Sequence, residues 1–254
     1  MIHPSAIIDP AASLGDGVHV GPYSVIGARV EIGDGTRIGS HVVINGATRI
    51  GRNNRIAQFN SLGDDPQDKK YNNEHTVLEI GDNNVIREFC TFNRGTAGGG
   101  GVTRIGDDNW IMAYVHIAHD CEVGNQVTMA NGSTLAGHVS VGDWVTLGAF
   151  TVVHQFCAIG AYAFSAMNTV VFKDVPPYLM VAGNSARPHG LNSEGLKRRG
   201  FDREVVRELK CAYRNLYRRS LSLEQALAAL DAQDSAAVRA ISDFVRASTR
   251  GIVR

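Results

Sequence analysis

No apolar run in this chain approaches the roughly 18–20 residues that a membrane span requires. The opening, "MIHPSAIIDP", has no basic stretch followed by an apolar one. Neither a transmembrane helix nor a secretory signal is expected, so the chain reads as cytoplasmic with no stable membrane insertion. Cysteine is scarce, with 4 in 254 residues and no Cys-x-x-Cys pair, which speaks against a disulfide framework and a zinc ribbon. Net charge is absent too: 25 Lys and Arg balance 25 Asp and Glu, and no nucleic-acid partner is expected. The balance is uneven along the chain. Residues 191–254 hold 13 basic against 8 acidic side chains, an excess that could meet an acidic partner or simply be a solvated helix face.

What the chain does have is a period of six. Ile8, Leu14, Val20, Ile26, Ile32, Ile38, Ile44, Ile50, Ile56 and Leu62 follow one another without a miss. The phase returns at Ile80, Ile86 and Phe92. It resumes one residue later with Ile105, Ile111, Ile117, Val123, Met129, Leu135, Val141, Leu147, Val153 and Ile159. A six-residue period fits neither an amphipathic helix nor an alternating strand. It suits a solenoid coiled as a triangular prism, one hexad to each side, with the aliphatic side chain inside. Gly, Asn and Asp are expected at the corners, where positive φ is tolerated. These hexads make nearly eight coils, a rod roughly 35–40 Å long at ~4.8 Å per coil. Cys90, Cys121 and Cys157 each stand two residues before an aliphatic position and read as small packing residues.

Two stretches break the pattern, 64–78 ("DDPQDKKYNNEHTVL") and 94–103 ("RGTAGGGGVT"). Both are too polar or Gly-rich to fill a prism side and are expected as loops, which often carry function. The solenoid is assigned to residues 1–190. From Leu191 to Arg254 the pattern is helical, with Asp202 as an N-cap, Ser222 and Gln225 as a capping-box pair, and a last helix near 235–248. Cys211 falls in this small helical domain as a packed residue.

Residues 18 apart stack in such a prism. His119, His138 and His154 thus come from three successive coils along nearly one line, with His116 close by. Idle corner residues, zinc ligands and a transferase cleft are the competing readings. Zinc needs ligands converging within about 2.1 Å of one point, and coils ~4.8 Å apart serve that poorly. No metal is expected.

The hexads resemble the hexapeptide-repeat acyltransferases, which form left-handed parallel β-helices. "HIAHDC" at 116–121, "LAGHV" at 135–139, "HQF" at 154–156, "PQDKKY" at 66–71, "RGTAGGGGVT", "DVPPY" at 174–178 and "EGLKRRGF" at 194–201 sharpen this. They resemble the UDP-N-acetylglucosamine O-acyltransferases of lipid A biosynthesis, as does the closing "STRGIVR". That resemblance implies an all-β left-handed parallel β-helix followed by a small C-terminal α-helical domain. It also implies transfer of a 3-hydroxyacyl group from acyl carrier protein to the glucosamine 3-hydroxyl of UDP-N-acetylglucosamine. No cofactor and no covalent enzyme intermediate are expected.

By matching motif, His119 is the general base, a task suited to an imidazole whose pKa is ordinarily near 6.5. Asp120 orients it, and the Gly137 backbone N–H receives the oxyanion. Asp68, Lys70, His116, His138 and Gln155, with His154 in the same column, match substrate-holding positions. Asn192, Glu194, Arg198 and Arg199 match those for the uridine diphosphate. Met167 occupies a chain-length ruler position and implies a 3-hydroxydecanoyl-type donor, since each methylene denied burial forfeits about 0.8 kcal/mol. Asn93 and Lys69 depart from the family's usual residues. A homotrimer with active sites between subunits is implied, its basic tail receiving the acidic carrier protein. The rival readings are the related N-acyltransferase, an acetyl-coenzyme A enzyme and a catalytically idle binding scaffold.

Overall fold

The computed structural model describes residues 1–254. The chain visits three parallel sheets in strict rotation. Ile7–Ile8 begins the first, Ser13–Leu14 the second and His19–Val20 the third, and Val25–Ile26 returns to the first. Ile7 pairs with Val25 and Ile8 with Ile26, so like residues of successive coils lie one above another. The result is the left-handed parallel β-helix expected, with sheets of nine, eight and ten strands. Inside runs a continuous core, in which Ile26, Ile44, Ile86, Ile111, Ile117, Leu135, Leu147 and Val153 are at most 1% exposed. Ile8 and Leu14 are only half-buried because no coil lies beneath them. The prism continues past the last hexad. Ser165 takes an inward position, bonding the Thr151 hydroxyl at 2.8 Å, and Arg187–Leu191 closes the third sheet as its one antiparallel strand.

The corners are not built as expected. The left-handed residue lies three before the inward aliphatic and is often bulky: Tyr23, His41, Phe59, Phe89, Tyr114, His138, Trp144, Phe150 and Phe156 all have φ between 56° and 65°. Asn53, Asn83 and Asp108 follow the expectation. Repetition explains the bulky ones. Coils ~4.8 Å apart bring equivalent rings to stacking distance, which offsets the backbone strain. Tyr23, His41, Phe59, Phe89 and Tyr114 form such a ladder, with centroids 5.0–5.2 Å apart. Apart from Gly63 at φ 77°, the glycines after the aliphatic residues have ordinary φ, and what they need is room. A Cβ on Gly33 would sit 2.7 Å from the carbonyl carbon of Gly51 in the next coil.

Both interruptions leave from the corner between the first and second sheets. They are slightly shorter than expected, because Val77 and Val102 already pair as strand residues. On the second sheet's outer face Glu31, Arg49, Glu79, Arg104 and Glu122 alternate in sign, at 2.9–3.9 Å from one neighbour to the next. The three buried cysteines pack in the core as anticipated, whereas Cys211 is only half-buried.

The tail forms four helices: α1 (Ser193–Arg198), α2 (Arg203–Tyr217), α3 (Leu223–Asp231) and α4 (Ala236–Ala247). Ser222 and Gln225 make the capping box, while Asp202 caps α2 in position only, without a side-chain bond. Leu196, Leu209, Leu230, Val238 and Ile241 form a second core. No helix is long and apolar enough to cross a membrane.

The contrast between packed and open glycines is testable by thermal unfolding. Gly33→Ala is expected to cost about 1–3 kcal/mol, because the next coil's backbone cannot yield. Gly98→Ala, which meets nothing within 4 Å, is expected to leave the midpoint nearly unchanged.

Candidate active site

The corner between the first and second sheets gathers most of the singled-out residues. His116 begins a two-residue strand of the first sheet, and His119 and Asp120 turn the corner after it. Adjacent side chains on a straight strand diverge, but Asp120 sits at φ 59°, which folds its carboxylate back under the preceding imidazole. His119 Nδ1 lies 2.8 Å from Asp120 Oδ2. A carboxylate can only accept, so Nδ1 carries the proton, and in the neutral ring that leaves the lone pair on Nε2.

The second interruption holds Asp120 in place. The Thr96 N–H donates to Oδ1 at 2.8 Å and the Thr96 hydroxyl to Oδ2 at 2.6 Å, so this fully buried carboxylate is satisfied. Its own N–H donates to Thr103 Oγ1 at 2.8 Å. Gly99 passes so close that a Cβ there would meet the carboxylate carbon at 2.1 Å, so this position has no room for a side chain.

His138 approaches from the next coil, with Nε2 3.7 Å from Asp120 Oδ2. Its ring meets His119 edge-on at 5.1 Å and stacks on Phe156 at 4.3 Å. His119, Asp120 and His138 resemble a metal-ligand cluster in composition. Of the three, only His119 and Asp120 are hydrogen-bonded to each other, and both carboxylate oxygens already accept from Thr96 or His119, with His138 packed alongside. Gly137 lies against the His119 ring, where a Cβ would fall 2.5 Å from Cε1 and 2.8 Å from Nε2. The Gly137 N–H makes no backbone hydrogen bond.

His116 is bonded to the Thr91 hydroxyl at 2.8 Å. Burial pulls its pKa below the ordinary imidazole value, against a raising contribution from Thr91 and with a lowering one from His119, which favours the neutral ring. His154 does not join this cluster. Its Nδ1 lies 3.1 Å from the Gln155 carbonyl and 3.3 Å from Arg250, and its ring faces Phe172.

Asp68 and Lys70 sit on the first interruption, which leaves the same corner two coils below. Asp68 Oδ1 accepts the Lys70 N–H at 3.0 Å and so shapes the loop. The buried Arg94 anchors that loop by bonding the Gly63 carbonyl, the Asp65 carboxylate and, at 2.8 Å, the Tyr71 hydroxyl. Asn93, the departure seen in the sequence, donates to the Asp65 carbonyl at 2.8 Å and staples the loop as well.

The remaining candidates stand on other edges. Asn192 caps α1 by accepting from Gly195 N–H at 3.1 Å, and its amide donates to the Tyr162 carbonyl at 2.9 Å. Arg199 lies 4.9 Å over the Trp144 ring, with its buried Nε unpaired. Together with Glu194, Arg198, Phe164 and Met180 they line a cleft on the third sheet. Met167, 67% exposed, projects at the corner between the third and first sheets. One chain therefore brings His119, Asp120, Gly137 and His138 together but leaves the α1 group and Met167 apart from them. Thr96 and Thr103 were missed as site residues. Their only signal was their place inside the Gly-rich interruption.

Residues 174–253 match the family model described as UDP N-acetylglucosamine O-acyltransferase, domain 2. Residues 11–46 and 103–137 match the bacterial transferase hexapeptide model. The acyl-(acyl-carrier-protein)–UDP-N-acetylglucosamine O-acyltransferase of Thiobacillus denitrificans is 61% identical, covering 100% of this chain and 99% of that relative. The one from Alkalilimnicola ehrlichii is 58% identical over the same shares. Among solved structures, the Francisella novicida UDP-N-acetylglucosamine acyltransferase superposes with a TM-score of 0.98 at 44% identity, covering 100% and 94% of the two chains. The Campylobacter jejuni UDP-N-acetylglucosamine acyltransferase gives 0.95 at 39%, with 100% of both covered.

The His119–Asp120 pair can be checked directly. Gly137→Ala is expected to displace the His119 ring, so the imidazole Nδ1–H proton resonance of the unaltered protein should shift or vanish in the NMR spectrum. An unchanged resonance would mean that the close approach of Gly137 does not set the ring.

Proposed function

Because the chain belongs to the acyl-(acyl-carrier-protein)–UDP-N-acetylglucosamine O-acyltransferase family, whose members are acyltransferases, we propose that it makes a 3-O-acylated sugar nucleotide for lipid A biosynthesis. The donor is a 3-hydroxyacyl thioester of acyl carrier protein and the acceptor is the glucosamine 3-hydroxyl of UDP-N-acetylglucosamine. The observation that carries this reading is the His119–Asp120 pair beside Gly137, with one imidazole nitrogen free.

A sugar hydroxyl attacks a thioester readily only as it loses its proton. His119 Nε2 takes that proton while the hydroxyl oxygen bonds to the acyl carbon, and the carbonyl becomes an oxyanion. Asp120 stabilises the imidazolium that forms. The unpaired Gly137 N–H is the group at hand for the oxyanion. On collapse the carbon–sulfur bond breaks, and the imidazolium returns its proton to the leaving thiolate. Attack is direct, with no acyl-enzyme. Burial pushes the Cys90 thiol up to about 11 and Cys121 to about 12, so neither is a thiolate nucleophile near neutral pH.

His116, His138, His154, Gln155, Asp68 and Lys70 are assigned to holding the substrates along this corner. Asn192, Glu194, Arg198 and Arg199 are assigned to the uridine diphosphate, for which the Arg forks suit phosphate oxygens. Lys197, Arg198 and Arg199 also offer positive charge to the carrier.

The separation of these groups is the argument for a homotrimer. Tyr23, Phe59, Phe89, Tyr114 and Phe150 are 43–63% exposed along one corner, an apolar edge that calls for cover. Turning that corner toward a three-fold axis sets the first sheet of one chain against the third sheet of its neighbour. His119 then comes opposite the neighbour's Trp144 and α1 cleft, and the ion-paired second sheet faces solvent.

Product mass after incubation with UDP-N-acetylglucosamine and a ladder of 3-hydroxyacyl carrier proteins tests the reading. The expected product is decanoyl-sized, and His119→Ala should reduce its rate by about 10²–10⁴. Met167→Gly should open the groove to donors about four carbons longer, a preference shift of more than ~3 kcal/mol, or over a hundredfold. A longer product from the unaltered chain would remove the ruler but keep the enzyme.

A further inference from the structure

The corner that carries His119 continues above His154. Residues 172–175 form its next level, with Phe172 and Lys173 exposed and Asp174 buried. The end of the chain is fastened here. Asp174 N–H donates to the Gly251 carbonyl and Val253 N–H to the Asp174 carbonyl, both at 2.9 Å. The Ser248 hydroxyl donates to Asp174 Oδ2 at 2.6 Å. Gly251, at φ 71°, turns the chain so that Ile252 and Val253 bury themselves.

This fastening lays Arg250 over the corner, with Nη2 3.3 Å from His154 Nδ1 across 96 residues of sequence. Its guanidinium also lies beside the Cys157 thiol, whose pKa is raised by burial and by Asp174 and lowered in part by Arg250. Neither Arg250 nor Lys173 has an ion-pair partner. The carboxylate of Asp174 is turned inward and already accepts from Ala158 N–H and Ser248. By contrast, arginines on the second sheet are neutralised one by one. Two unpartnered cations therefore close the upper end of the corner, and from the coil of His119 to that of His154 is about 10 Å.

We propose that Arg250, assisted by Lys173, binds the phosphate of the donor's phosphopantetheine arm, so that the arm runs along this corner from phosphate at Arg250 to thioester at His119. The proposal rests on the reading above that the donor is an acyl carrier protein. Such carriers hold the acyl group on an arm whose one fixed charge is a phosphodiester. A guanidinium fork matches phosphate oxygens in geometry and charge.

The test compares Arg250→Ala and Arg250→Lys with the unaltered chain on three donors: acyl carrier protein thioester, acyl-phosphopantetheine and acyl-pantetheine. Arg250→Ala is expected to raise KM for the two phosphate-bearing donors by about ten- to hundredfold, and Arg250→Lys by less. KM for the sugar nucleotide should hold, and the penalty should disappear with acyl-pantetheine. A penalty confined to the intact carrier would assign Arg250 to the carrier's protein surface and overturn the proposal. An equal penalty with all three donors would overturn it in favour of a role through His154 or the fold. Calorimetric binding of phosphopantetheine needs no turnover. At least tenfold weaker binding to Arg250→Ala supports the site and equal binding removes it, whereas absent turnover of the unaltered chain counts against the catalytic reading alone.

Discussion

Everything in this molecule depends on each coil landing on the one below it in an 18-residue register. The inward aliphatic column enforces that register, since a slip of one residue would turn every core side chain outward. Once it holds, equivalent positions on successive coils become neighbours, and the chain can use them to build ladders. Rings stack along one corner, opposite charges alternate along the second sheet, and Gly backbones pass each other at close contact.

The site is a variation on the same device. The left-handed corner position that holds Phe89 or Tyr114 elsewhere holds Asp120, His138 and Phe156 on three successive coils. At Asp120 the positive φ aims the carboxylate at its neighbour His119 and not at solvent. Backbone strain that a ring ladder offsets elsewhere is here offset by the hydrogen bonds from Thr96 and to Thr103. The two loops that break the hexads are then part of the scaffold. One walls in Asp120, and the other is carried by Arg94 and Asn93 on the adjoining coil.

A prism has three edges, and this chain distributes its chemistry over all of them. The His119–Asp120 pair stands at one corner, the α1 cleft lies on the opposite sheet face, and Met167 with the exposed rings occupies another edge. A rigid rod cannot fold these together, because its interior is packed throughout. The proposed trimer is the arrangement that would bring them to one place.

The sequence by itself determined the prism. A strict six-residue period admits few other structures, and it also identified the loops, the histidine corner and the helical tail. The expectation of small residues at the corners missed because stacking between coils is non-local. A single hexad shows the cost of a left-handed Phe or Tyr but not the neighbour that offsets it. The pairing of His119 with Asp120 hung on one backbone angle, and nothing in the repeat pointed to the contacts of Thr96 and Thr103 with Asp120 or of Arg250 with His154. Their partners lie 17 to 96 residues away, across loops of irregular length that shift the register. Only the tertiary structure decided those contacts, since a regular repeat predicts its own neighbours and an interruption does not.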